Sequence, residues 1–263
     1  MANRPLTYTQ RFLLDHPICC FCGGNTPATT RDHVPGKMIF DGKHRPKGIE
    51  VPACEQCQKY SKKHELVAAM IARMFPDSST PTQEKEIDKL LRLANKAIPG
   101  LLEELQPTPE QEAKFERIKE QEPNAAGMLD AGGPLVNASL DIFGAKMTCA
   151  LHYEKTKKIL PIGNPISTRI FTNVDILENN MPKDLLNVLG PPNTLQQGKW
   201  SVSNQFSYSY AITDTHEYGV YFSTFRQSFA VLGLIWKGMD DLPEGEGMKT
   251  FTPQKNGEFL RIR

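Results

Sequence analysis

The chain has 263 residues, 39% of them hydrophobic, with Lys+Arg 31 against Asp+Glu 30. The apolar share suffices for a packed core, and no run of about 18 apolar residues is present to span a bilayer. Near-neutral charge argues neither for nor against a polyanionic partner, but its distribution is uneven. Residues 1–75 carry eleven Lys/Arg against six Asp/Glu, and residues 76–133 carry seven against twelve. A basic head beside an acidic middle can hold a polyanion-binding surface inside a neutral total. The opening MANRPLTYTQRFLLDHP lacks the apolar run and small-residue cleavage site of a secretory signal, so a cytoplasmic location is expected.

Residues 1–60 are rich in Gly, Pro, Cys and His and show little helical periodicity. They read as a loop-rich module held by something other than a core. Cys19-x-x-Cys22 and Cys54-x-x-Cys57 form two CxxC units separated by residues 23–53. Four thiolates in two tight turns satisfy tetrahedral Zn(II), and a closed four-Cys site points to structural rather than catalytic zinc. Disulfides are the competing reading, disfavoured in the cytosol. A redox CxxC lacks the surrounding βαβ pattern. Cys20 lies between the first two ligands and is read as a non-ligand.

From residue 61 the texture changes. Leu66, Val67, Met70, Ile71 and Met74 recur at helical spacing. TPTQ (80–83) and TPEQ (108–111) each place Thr as N-cap, Pro at the first helical position and Gln three residues on, a capping box. Two helices of an acidic middle segment follow, and AGGP (131–134) marks a linker or sharp turn. A long helix is expected over 135–158, with Leu140, Phe143, Met147, Ala150 and Leu151 on one stripe and Cys149 as a buried small residue. STRIFTN, FSYSYAIT, YGVYFSTF and FAVLGLIW then read as strands, with HEYG and RQS as hairpin connections. The fold class is α+β: an N-terminal zinc-stabilised module (1–76), an acidic helical segment (77–133), and a helix packed on an antiparallel sheet (134–263).

Between the cysteine pairs lies TRDHVPGKMIF. C-x-x-C-G, R-D-H-V-P and V-P-A-C-x-x-C before a polar helix start together resemble the zinc-containing HNH endonucleases, the ββα-metal nucleases, over roughly residues 16–70. The resemblance implies that His33 is the general base that deprotonates an attacking water, a task suited to a group titrating near neutrality. It implies that Asp32 ligates a divalent cation, Mg(II) or Mn(II), at the scissile phosphate. The helix after the second CxxC would complete that cation site, with His64 or Gln58 as the final ligand; Gln58 stands where Asn is common and His64 lies late. The family's Asn carbonyl that orients the histidine has no counterpart in GKHRPKGIE, leaving Gln56, Gln58 or a backbone carbonyl.

DNA is the implied partner. Arg31, Lys37, Lys43, Arg45 and Lys47 around the hairpin, and Lys59, Lys62 and Lys63 at the helix start, are the candidate phosphate contacts. The reading is a metal-dependent DNA endonuclease of the restriction or phage-defence kind. The alternative is a catalytically inactive zinc-stabilised nucleic-acid-binding or protein-interaction module. His152 is read as a core-edge residue, and residues 134–263 as a scaffold, a homodimer interface or a contact for a partner protein. No membrane partner is expected.

Overall fold

The computed structural model describes residues 5–74, 80–121, 131–173, 175, 181–242, 247–255 and 257–262. Helix α1 (Tyr8–Asp15) opens the chain, capped by a Thr7–Gln10 box. It escaped the sequence reading, although T-x-x-Q is the signature recognised at Thr80 and Thr108. Strands β1 (Thr30–His33) and β2 (Glu50–Ala53) pair antiparallel, Asp32 opposite Val51 and His33 opposite Glu50. Helix α2 (Glu55–Arg73) follows directly. Helix α3 (Pro81–Ala97) carries the expected capping box at Thr80, and α5 (Pro109–Gln121) follows the short α4 (Leu101–Glu104). Thr108 and Gln111 exchange the two hydrogen bonds of a second box.

The expected long helix is α6 (Pro134–Thr156), whose residues are buried from Leu140 through Tyr153 apart from Ile142. A helix buried nearly all round lies between two layers. One side packs on α2 and β2, the other on the sheet. That sheet is antiparallel, in the order β10-β9-β3-β8-β7-β6. Its strands are β3 (Ile166–Thr172), β6 (Phe206–Ile212), β7 (Gly219–Phe225), β8 (Phe229–Ile235), β9 (Lys249–Pro253) and β10 (Phe259–Arg261), with a two-residue pair β4 (Gln196–Gln197) and β5 (Trp200–Ser201) outside it. The four strands expected from the sequence are present. Strand β9 and the edge strand β10, too short to announce themselves, are additional.

β8 is buried at every position, because its two faces meet different partners. Phe229, Val231 and Ile235 join the core around α6; Ala230, Leu232 and Leu234 form a second cluster with Phe171, flanked by Val220, Phe222 and Trp236. Phe143 of α6 meets Phe225 edge-on at 5.2 Å between ring centres. Gly144 lets the helix approach closely, since a Cβ there would stand 3.1 Å from Val231 Cγ1. The core around α6 also takes in Phe21 and Val51 from the first stretch of the chain and Leu90 and Leu101 from the middle one, so all three stretches contribute to it. Among the described residues no helix is long and apolar enough to cross a membrane.

Candidate functional site

The first CxxC sits in a tight loop closed by the Ile18–Pro27 bridge and by Cys19 N–H donating to Thr26 O at 2.9 Å. Gly23 and Gly24 turn the chain back at φ 70° and 77°. The second pair straddles the junction of β2 and α2. All six cysteines are free thiols. The ligand atoms of Cys19, Cys22, Cys54 and Cys57 lie within 4.8 Å of one another, with Sγ–Sγ separations of 3.5 Å (Cys19–Cys57) and 3.3 Å (Cys54–Cys57). Tetrahedral zinc with Zn–S of about 2.3 Å needs edges of about 3.8 Å, a small breathing motion away. The four could therefore hold a metal ion such as zinc. Cys20 is outside this group, and its carbonyl accepts from Cys149 Sγ at 3.2 Å. Two distant segments close over the centre. Ile162 lies against Gly23, and Gly257 against Cys57.

The hairpin held by this centre presents alternate residues to opposite sides. His33 and Arg31 face outward, into a cleft of about 1010 Å³ shared with α1 and the end of α6. His33 is 42% exposed at its side chain. Glu50, directly across the ladder, places Oε1 3.5 Å from His33 Nε2, while its Oε2 pairs with Arg31 at 2.7 Å. Glu50 is thus the carboxylate nearest His33, a neighbour the sequence reading did not name; Gln56 and Gln58 are not part of the cleft that His33 lines. Partial burial, then the charge of Arg45, lowers the His33 pKa below its ordinary value against the pull of Glu50, which favours the neutral ring. Arg11, Lys47 and Lys157 line the same cleft with Arg31, balanced by Asp15, Glu50 and Glu154.

Asp32 faces inward. Its Oδ2 lies 2.6 Å from Nζ of Lys146 on α6. The same ammonium contacts Glu65 of α2 and, at 2.9 Å, Ser61 Oγ. Lys146 and Glu65 were both missed in the sequence. A lysine in a long helical stretch carries no mark of burial until its partners are known.

The two strongest of the expected ligands of a catalytic divalent cation, Asp32 and His64, each have another partner. His64 is buried on the face of α2 toward α6, and its Nδ1 lies 3.3 Å from Ser139 Oγ. Ser139 gives its own hydroxyl proton to Leu135 O at 2.8 Å, so Nδ1 is the donor and Nε2 carries a buried lone pair with no partner. Burial, followed by the nearby Lys63 charge, pushes this ring down to about 4. Gln58 is half-buried in the first turns of α2. Among the described residues the four cysteines alone form a group of three or more His, Cys, Asp or Glu ligand atoms this close. Of the residues the resemblance implied for a Mg(II) or Mn(II) site, the one carboxylate, Asp32, is already paired with an ammonium.

Arg45 corrects another expectation. Its guanidinium donates to the carbonyls of Pro35 (2.7 Å), Pro46 (2.9 Å), Val34 (3.0 Å) and Gly48 (2.6 Å), so it staples the loop between β1 and β2 rather than facing a ligand. Burial lowers its pKa to about 10. Lys37, Lys43, Lys59, Lys62 and Lys63 are exposed. Lys37, Lys43, Lys59, Lys62 and Lys63 do not line the His33 cleft; Lys43 borders a hollow against α3, and Lys62 a small one beside Glu65. His152 is a satisfied core residue, 2.9 Å from the Tyr221 hydroxyl.

No protein-family model, curated protein or solved structure matches this chain.

Proposed function

We propose that the chain is an endonuclease that hydrolyses phosphodiester bonds of DNA, with His33 as general base. The observation that carries the reading is the placement of His33. A ring favoured in its neutral form stands half-exposed at the end of a short strand, faced by a carboxylate and surrounded by Arg11, Arg31, Lys47 and Lys157. Glu50 opposite Nε2 favours the tautomer with its proton there and the lone pair on Nδ1. Nδ1 would take a proton from water as the water oxygen bonds phosphorus. One P–O ester bond breaks, and the leaving alcohol oxygen takes a proton from solvent. The cleft cations hold the phosphates without reading sequence.

A second reading, a nucleic-acid-binding module without cleavage, is favoured by the Lys146–Asp32 pair, which withdraws the carboxylate the resemblance assigns to a metal. One experiment separates the two. Supercoiled plasmid is incubated with the zinc-loaded protein, with and without Mg(II) or Mn(II), beside His33→Ala. Nicking that disappears in the variant supports the enzyme. A gel shift without nicking, equal in both proteins, supports the binder and overturns the role of His33.

A further inference from the structure

The inward face of the hairpin holds a second arrangement, built from three distant parts of the chain. β1 supplies Asp32, α2 supplies Ser61 and Glu65, and α6 supplies Lys146. The Lys146 side chain is 3% exposed and reaches Asp32 Oδ2 at 2.6 Å, Ser61 Oγ at 2.9 Å and Glu65 Oε1. An ammonium has three protons and no acceptor. Here Ser61 Oγ and Glu65 Oε1 accept hydrogen bonds, and Asp32 Oδ2 is held as an ion pair without hydrogen-bond alignment. Ser61 gives its hydroxyl proton to Glu65 Oε1 at 2.8 Å, which leaves a lone pair turned toward Lys146. The Phe21 ring, inside the first CxxC, lies 5.1 Å from Nζ and faces the charge from another side. Burial alone would drive the lysine toward its neutral form; Glu65 and Asp32 outweigh it, and the pKa is raised.

We propose that Lys146 is a built-in cation that fills the seat between Asp32 and Glu65, so that this site takes no divalent metal ion. Two carboxylates from a strand and a helix, converging on one point beside an oxygen donor, are what a hard cation asks for. The point of convergence is occupied by Nζ, and a metal using Asp32 Oδ2 and Glu65 Oε1 would have to displace a side chain that is buried along its length. It would also sit next to a charge of the same sign. The inference deepens the nuclease reading and rests on it for what the cation does for chemistry. Lys146 then acts as a positioning residue that ties the hairpin strand to α2 and α6 and keeps Asp32 neutralised beneath His33.

The test reads metal binding, not cleavage, so a protein that never nicks DNA leaves its result standing. Zinc-loaded wild type, Asp32→Asn, Lys146→Met and the double variant are titrated with Mn(II), and free Mn(II) is followed by electron paramagnetic resonance. Wild type and Asp32→Asn should show the same weak background. Lys146→Met, which removes the charge while keeping much of the volume, should gain one site binding at least tenfold more tightly, lost again in the double variant. Zinc content and circular dichroism report whether Lys146→Met has folded. If it has not, the wild-type and Asp32→Asn pair decides alone. A wild type that binds one Mn(II) and loses it in Asp32→Asn overturns the proposal, as does a folded Lys146→Met without any new site.

Discussion

Arg45→Ala separates a loop staple from a DNA contact. In the structure the guanidinium satisfies the carbonyls of Val34, Pro35, Pro46 and Gly48, all within 3.0 Å. A hydrogen bond to a charged group contributes about 1.5–3 kcal/mol, and a buried carbonyl left without a donor costs about 1–3 kcal/mol. The effects overlap, and water entering the gap recovers part of them, so the truncation should destabilise by about 4 kcal/mol. That is a large share of the roughly 5–15 kcal/mol of a typical domain. Arg45→Lys offers a point charge in place of a planar fork and should recover less than half of the loss. Urea denaturation followed by far-ultraviolet circular dichroism measures the midpoint, and a fluorescence titration with duplex DNA measures binding at the lowest denaturant. The expected result is a midpoint moved strongly down, with binding changed only as far as the loop has melted. An unchanged midpoint with weakened, less salt-dependent binding would show that Arg45 meets phosphate and refute the staple.

Removing metal from the cysteine centre with a strong chelator should loosen residues around both CxxC units, since four buried thiols from two separate turns would lose the ion that ties them together; loss of near-ultraviolet signal that zinc restores is the readout, and a chelated protein that melts unchanged would deny the centre a structural role. Gly257→Ala should weaken metal retention, because a Cβ there would stand 2.8 Å from Cys57 Sγ and the backbone has φ 82°; competition with a chromophoric chelator reports the change. Acid stability should reveal His64 and His152. Burial holds each ring's folded pKa down to about 4, against 6.5 when unfolded, so the unfolded chain binds the extra protons between these values. Their contribution is complete above pH 6.5 and is lost as pH falls toward 4, about 3 kcal/mol for each ring. His152→Gln should therefore flatten the stability profile in that window by about 1.4 kcal/mol per pH unit, and an unchanged slope would show that the ring is solvated.

Much of the fold was legible because its signals are local. Helix α6, strands β3, β6, β7 and β8, and the capping boxes at Thr80 and Thr108 each follow from periodicity or from residues three apart, and two CxxC pairs specify a four-thiol cluster because each pair lies in a single turn. Helix α1 carried the same cap signature at Thr7 and Gln10, in a stretch whose composition masked it. The inward and outward faces of β1 were implicit in strand alternation, but not what each face would meet. That depended on packing. Lys146 joins Glu65 across 81 positions of sequence, Arg45 is turned onto four carbonyls of its own loop, and Glu50 reaches His33 through the ladder register. Charge type is written in the sequence; whether a charge faces water, a carbonyl or an opposite charge is a property of the assembled core, where burial makes an unpaired ion costly and so selects its partner.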